Sequence, residues 1–166
     1  QILKLSSEKP DALILVANSA VSANRIADQL KQLNVRIPIV GNEYFAFRES
    51  VVNPNTEGYF VTLYKYNIDN PKLQFLADQY MKIYGKEPGV EIYVAMTFDG
   101  YSVLKDIIDL CSVGDSNCYK KELYSVEDYE GASGVISIDE NGDTKREFSL
   151  KKIQQGKLVE LLVEGI

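Results

Sequence analysis

A chain of 166 residues that is 45% hydrophobic has the length of one ordinary domain and enough apolar material to build a core. Its 18 Lys and Arg against 24 Asp and Glu leave a formal charge of -6, with no basic patch of the kind that nucleic acid or an anionic membrane surface requires. Histidine is absent, which excludes catalytic triads and His-rich zinc sites, and no apolar run approaches the ~20 residues of a membrane span.

The opening "QILKLSSEKP" lacks the pattern of a secretory signal, and Ile2, Leu3 and Leu5 ahead of Pro10 read as the last turns of a helix that begins before Gln1. "DALILVA", Asp11 to Ala17, is a nearly continuous apolar run of strand length, as expected of a parallel strand covered on both faces. Ala23, Ile26, Ala27, Leu30 and Leu33 then recur at helical spacing with Ser19 placed as N-cap, and "RIPIVG" is a second strand ending at Gly41. Strand, helix and strand in this order form a βαβ unit with parallel strands and a right-handed crossover.

After the polar, turn-rich "RESVVNPNTE", a third strand is expected in "GYFVTLY", Gly58 to Tyr64. Asn70 followed by Pro71 marks a helix start; Leu73, Leu76, Tyr80 and Ile83 are expected to face inward, and Gly85 and Pro88 end the helix. A longer helix from about Val90 to Leu110 carries Val94, Phe98, Tyr101, Leu104 and Ile108 as one stripe, and a shorter one covers about Asn117 to Ser125. The last forty residues change period, with hairpin signals at Asn141-Gly142 and Gln155-Gly156. The expected class is therefore α/β: a parallel βαβ sheet with C-terminal β-hairpins.

Between the two long helical segments and the hairpins lie Cys111 and Cys118, separated by six residues of turn chemistry. The spacing does not suit a CxxC redox or zinc motif. A local disulfide fits better than two unpaired buried thiols, would contribute roughly 2 to 3 kcal/mol, and places the protein in an oxidising compartment. The first strand-to-helix turn, "VANSAVSAN", has no glycine to cradle a phosphate, and "IDENGD" is a hairpin turn without the twelve-residue spacing of a calcium loop. No metal or cofactor is expected.

What remains is a pair of loops at the carboxyl ends of the first two strands: Asn18, Ser19 and Ala20 in one, Asn42, Glu43 and Tyr44 in the other. Ligands of open α/β sheets bind outside those strand ends. Glu43 beside Tyr44 and Phe45 could hold an ammonium group through a charge-assisted hydrogen bond and cation-π contact, and the alternative is a solvated loop pair.

Four segments carry a resemblance when taken together: "PDALILVANSA" with "LKQLNVRIPIVGNE", "EGYFVTLY", "NPKLQFLADQYMKIYGKEPGVEIYVAMTFDGYSVL" and "YEGASGVISIDENGDTKREFSLKKIQQGKLV". In order and spacing they resemble the substrate-binding proteins of ABC transporters for branched-chain and other amino acids, which have the type 1 periplasmic-binding-protein fold. The resemblance implies two α/β lobes that enclose a ligand and three backbone crossings between them. It covers the carboxyl-terminal half of such a protein, with residues 1–61 and about 145–166 in the second lobe and about 65–140 in the first.

By the same resemblance Glu43 matches the acidic position that accepts the ligand's ammonium. Asn18, Ser19 and Ala20 match a loop that makes a second-lobe contact, frequently aromatic in the family and not aromatic here, so the side-chain specificity of other members does not carry over. Thr62, Leu63 and Tyr64 match a lobe crossing and would be hinge. Asp99 and Tyr101 lie on a helix that faces the cleft in some members, with core packing expected for Tyr101. The implied protein is not an enzyme: it binds an amino acid or similar small molecule outside the cytoplasm, in the periplasm or lipid-anchored at the cell surface. Its partner is an ABC permease in the membrane. The alternative with the same fold is the ligand-binding sensory region of a receptor or regulator. Self-association is expected where lobe-interface surface is exposed.

Overall fold

The computed structural model describes residue 4 and residues 8–161. The expected helix end over Ile2 to Leu5 lies outside the described residues except at Lys4, which is helical. Among the described residues no helix is long and apolar enough to cross a membrane. The chain divides into two compact units, one of Gln1–Tyr64 with Phe148–Ile166 and one of Lys65–Glu147.

The first unit is built on strand β1 (Leu13–Leu15), helix α1 (Ala20–Gln32), strand β2 (Ile39–Gly41), a 3-10 turn (Glu43–Phe45), a single helical turn α2 (Arg48–Val51) and strand β3 (Phe60–Tyr64). Strands β7 (Phe148–Gln154) and β8 (Lys157–Glu160) complete a five-stranded sheet of order β1-β2-β3-β7-β8. β1, β2 and β3 pair in parallel, as the βαβ reading requires, and β7 and β8 join antiparallel. The β7–β8 turn is Gln155-Gly156, both in the left-handed region that a two-residue hairpin of this hand demands.

Alternation along the strands sets what is covered. Leu13, Ile39, Val61, Leu63 and Ile153 are buried, together with Ala23, Ala27 and Leu30 of α1. Ile14 and Val16 point the other way and are each 81% exposed. The expectation that β1 is covered on both faces is therefore corrected: the described residues supply a layer for one face only, and β1 is also the sheet edge.

The second unit holds helices α3 (Pro71–Tyr84), α4 (Glu91–Leu110) and α5 (Ser116–Tyr124) and a small sheet of β4 (Tyr129–Gly131), β5 (Gly134–Ile138) and β6 (Thr144–Lys145). Asn70 caps α3 with Pro71 at its first position, and Gly85 closes it in the left-handed conformation. Cys111 and Cys118 are joined by a disulfide across a Cα separation of 5.8 Å, bracketing the turn between α4 and α5.

Here two packing expectations are overturned. Ile83 of α3 is exposed, while Leu73 alone of the four named residues is fully buried. On α4 the buried stripe is Ile92, Ala95, Asp99, Val103 and Ile107, whereas Phe98, Tyr101, Leu104 and Ile108 are exposed. Core packing of Tyr101 is thus corrected. The cause is Asp99, 1% exposed, whose two carboxylate oxygens accept the backbone N–H groups of Ala132 and Ser133, each at 2.7 Å. A buried carboxylate must be satisfied, and these two donors fix which face of α4 turns toward the β4–β5 connection. Gly131 permits the approach, since a Cβ there would overlap the Asp99 carboxylate.

In the first unit a comparable close approach sits under the strand-end loops. A Cβ on Gly41 would overlap the ring of Phe45, which is fully buried and packs on Tyr59 with ring centroids 6.0 Å apart. Burial, with the Asp28 carboxylate second, pushes the Tyr59 phenol from its ordinary 10.0 up to about 12.

Two measurements test this layer. Gly41→Ala should lower stability by about 1 to 3 kcal/mol in urea unfolding, through overpacking against Phe45; an unchanged midpoint would show that the ring is free to move. The Tyr59 phenol ionises near 10 when unfolded and near 12 when folded, so its contribution is intact below pH ~10 and is lost as pH rises toward ~12, by up to about 2 to 3 kcal/mol. Tyr59→Phe should therefore lose less stability than the wild type across that window, and equal losses would count against it.

Candidate functional site

The loops after β1 and β2 are held together by one side chain. Asn42 Nδ2 donates to the Ala17 carbonyl at 2.9 Å while Ala17 N–H donates to Asn42 Oδ1 at 3.1 Å, so the carboxamide pairs with a backbone peptide as a neighbouring strand would. The Asn42 N–H also donates to the Leu15 carbonyl at 3.1 Å. β-pairing therefore continues past Gly41 by means of a side chain, and Glu43 follows immediately.

The first loop is ordered by capping. Ser19 has extended backbone and caps α1: Ser19 Oγ accepts the Ser22 N–H at 3.1 Å, and Ser22 Oγ accepts the Ser19 N–H at 3.2 Å, a reciprocal box built from two serines. Ser22 Oγ also donates to Asn18 Oδ1 at 2.9 Å. The Asn18 and Ser19 side chains are thus occupied in shaping the loop, and Ala20 stands at an orphan N–H position of the helix start, where partial positive charge collects.

The second loop turns at once into the 3-10 turn. This sends successive side chains to different places: Phe45 enters the core, Glu43 and Tyr44 stay partly exposed, and Tyr44 stacks on Phe47 with centroids 5.7 Å apart and planes 16° apart. A cation-π role for Phe45 is ruled out by its burial, which leaves Tyr44 as the aromatic beside Glu43. Among the described residues no hydrogen bond or ion pair engages the Glu43 carboxylate. The arrangement offers, on adjacent loops, an anionic acceptor uncommitted among the described residues, an aromatic stack and a helix N-terminus, a chemistry able to receive a cationic group. It contains no nucleophile paired with a base, and among the described residues no group of acidic or cysteine side chains could hold a metal ion.

The other sequence-derived residues lie elsewhere. Leu63 is buried in β3 and Thr62 is exposed beside it, while Tyr64 stacks on Phe148 at 4.8 Å where the first unit ends. Asp99 is committed to backbone amides in the second unit and is 1% exposed, which closes it to a ligand. A concavity of about 440 Å³ in the first unit, lined by Arg36, Pro38, Asn55, Glu57 and Tyr59 among others, sits at the amino-terminal ends of β2 and β3, away from Glu43. Asn42 is the residue whose role the sequence concealed: its neighbours Gly41 and Glu43 mark a turn, but a carboxamide imitating a strand leaves no periodic trace.

No family model matches the chain, and no curated protein matches it. Solved structures do. The Thermotoga maritima leucine binding protein LivK has a TM-score of 0.79 at 26% identity, over 98% of this chain and 47% of that one. The Streptococcus pneumoniae branched-chain amino acid transporter substrate binding protein LivJ, solved with isoleucine, has a TM-score of 0.74 at 19% identity, over 97% and 48%. An extracellular ligand binding receptor from Desulfohalobium retbaense has a TM-score of 0.79 at 21% identity, over 96% and 28%. Over nearly its whole length the chain is similar in fold to substrate-binding proteins of branched-chain amino acid ABC transporters, and it spans about half of theirs.

Proposed function

We propose that the chain is the carboxyl-terminal half of the extracytoplasmic solute-binding component of an ABC transporter, and that the whole protein binds a free amino acid without chemical conversion. In this reading Glu43 accepts the ligand's ammonium, Tyr44 flanks it, and the Asn18–Ala20 loop supplies a second contact from the start of α1. Residues 1–61 and about 145–166 belong to one lobe and about 65–140 to the other, with Thr62, Leu63 and Tyr64 as hinge. Ligand binding favours the closed form of the two lobes, which a membrane permease recognises.

The observation that carries the reading is Glu43: a carboxylate without a partner among the described residues, following the Asn42 tie at a strand end, in a chain whose fold neighbours include leucine- and isoleucine-bound transport proteins. The disulfide supports an oxidising, extracytoplasmic location, periplasmic or lipid-anchored. The receptor among the fold neighbours favours one second reading, a ligand-binding sensory region. The flanking gene sequence separates the two, because a lipoprotein signal accompanies transport and a following membrane helix accompanies sensing.

Calorimetry of the full-length protein against a panel of amino acids tests the site. Glu43→Gln should weaken binding of the preferred amino acid by at least about tenfold, because it removes a charge-assisted bond of roughly 1.5 to 3 kcal/mol. Full affinity in the variant would remove Glu43 from the site. Asn42→Ala, which leaves Glu43 in place, should also weaken binding, together with a stability loss of about 1 to 3 kcal/mol from the unpaired Ala17 peptide. Unchanged affinity there would show that the loops are placed without the tie.

A further inference from the structure

The turn between β4 and β5 consists of Ala132 and Ser133, and its polar groups are accounted for with one exception. Both N–H groups donate to the Asp99 carboxylate. The Ala132 carbonyl accepts Asn70 Nδ2 at 3.2 Å, and the Ser133 carbonyl accepts Arg146 Nη1 at 3.5 Å. The exception is the Ser133 hydroxyl, which is buried and makes no hydrogen bond among the described residues. An unmet buried hydroxyl is costly, and the turn closes without it, so an alanine would serve the fold at least as well. Its presence calls for a partner outside the described residues.

Ser133 lines a concavity of about 390 Å³ whose walls also include Lys65, Lys145, Arg146 and Glu147, all of the second unit. Three cations against one carboxylate reverse the balance of a chain that carries 24 acidic and 18 basic residues. Glu147 answers Lys65, whose Nζ donates to it at 2.6 Å, and this bond holds the Glu147 carboxyl below its ordinary range. Lys145 makes no side-chain hydrogen bond or ion pair among the described residues. Asp139 acts on it, but Asp139 Oδ1 is taken up by the N–H groups of Asn141 and Asp143, each at 2.9 Å. Arg146 is half-buried, and at 3.5 Å its bond to the Ser133 carbonyl is at the limit of a useful one.

We propose that this concavity binds a small tetrahedral dianion, of the charge and shape of inorganic phosphate. Lys145 and Arg146 supply the two charges that Glu147 does not offset. The planar guanidinium donates to two oxygens in parallel, and the Ser133 O–H donates to a third once Arg146 swings from the carbonyl onto the anion. A monovalent carboxylate would leave one cation and one donor unanswered. Nucleic acid needs cations spread along a face, which three around one concavity do not provide. Glu43 belongs to the first unit, so the inference does not rest on the amino-acid reading.

Calorimetric titration of the full-length protein with inorganic phosphate, at an ionic strength held constant with sodium chloride, tests it. Saturable binding is expected, and Lys145→Gln should weaken it by at least about tenfold. Lys86→Gln, the same loss of charge at an exposed position in the turn after α3, should leave it within about twofold. Ser133→Ala should weaken phosphate binding by about threefold or more, yet leave the urea midpoint measured without phosphate unchanged or higher, because the hydroxyl it removes is unmet there. Absence of saturable binding overturns the inference, as does full phosphate affinity in Lys145→Gln or in Ser133→Ala. Equal weakening by Lys86→Gln also overturns it, since the attraction would then be that of general charge.

Discussion

The Asn42 carboxamide is the constraint on which the candidate site depends. A parallel sheet ends where its strands diverge, and loops beyond that point ordinarily move independently. Here two hydrogen bonds between Asn42 and the Ala17 peptide extend the pairing of β1 and β2 by one more residue on each side. At about 1 kcal/mol net apiece the bonds are modest in energy, yet they are directional, and both partners are partly buried, so leaving them unmade costs more than making them yields. The result is that the loop leading to α1 and the first residue of the 3-10 turn are placed relative to each other by that side chain. In the proposed reading, Glu43 would meet a ligand with little ordering left to do.

Gly41 and Phe45 supply the other half of that placement. The strand must turn sharply after Gly41 to bring Phe45 back over it, and only a residue without a Cβ leaves room for the ring. Phe45 anchors the 3-10 turn in the core against Tyr59, and Glu43, two residues earlier in the same turn, stays partly exposed. The aromatic residues that follow the glutamate thus divide their labour: Phe45 anchors the turn, and Tyr44 and Phe47 stack on each other.

Much of this was legible beforehand, and the part that was not shares one physical cause. The βαβ order, the serine cap, the Asn70-Pro71 helix start and both hairpin turns are local signals, written in a few adjacent residues, and each appears in the structure within a residue or two. The loops at the strand ends were legible as a place, because topology alone puts them together. Hidden were the contacts whose partners lie far along the chain: Asn42 with Ala17, twenty-five residues apart, and Asp99 with Ala132 and Ser133, thirty-three and thirty-four apart. Periodicity reports that a face is buried. It is silent on which neighbour buries it, and an aspartate within an apolar stripe reads as an interruption when it is in fact the anchor.

The same distinction accounts for the two faces that the sequence marks as covered and the structure leaves open. "DALILVA" is apolar on both sides of β1, and α4 is apolar on both sides of its axis, yet in each case a single face is packed. Composition reflects the environment in which a residue performs its role, whereas solvent exposure reflects only the polypeptide present. Where the two disagree at scattered positions, the disagreement carries little, because single exposed apolar side chains are ordinary. On α4 the exposed Phe98, Tyr101, Leu104 and Ile108 share their side of the helix with the exposed Thr97 and Lys105, so that side is mixed in character, and what the sequence marks there is a tendency of the helix and not a covered face.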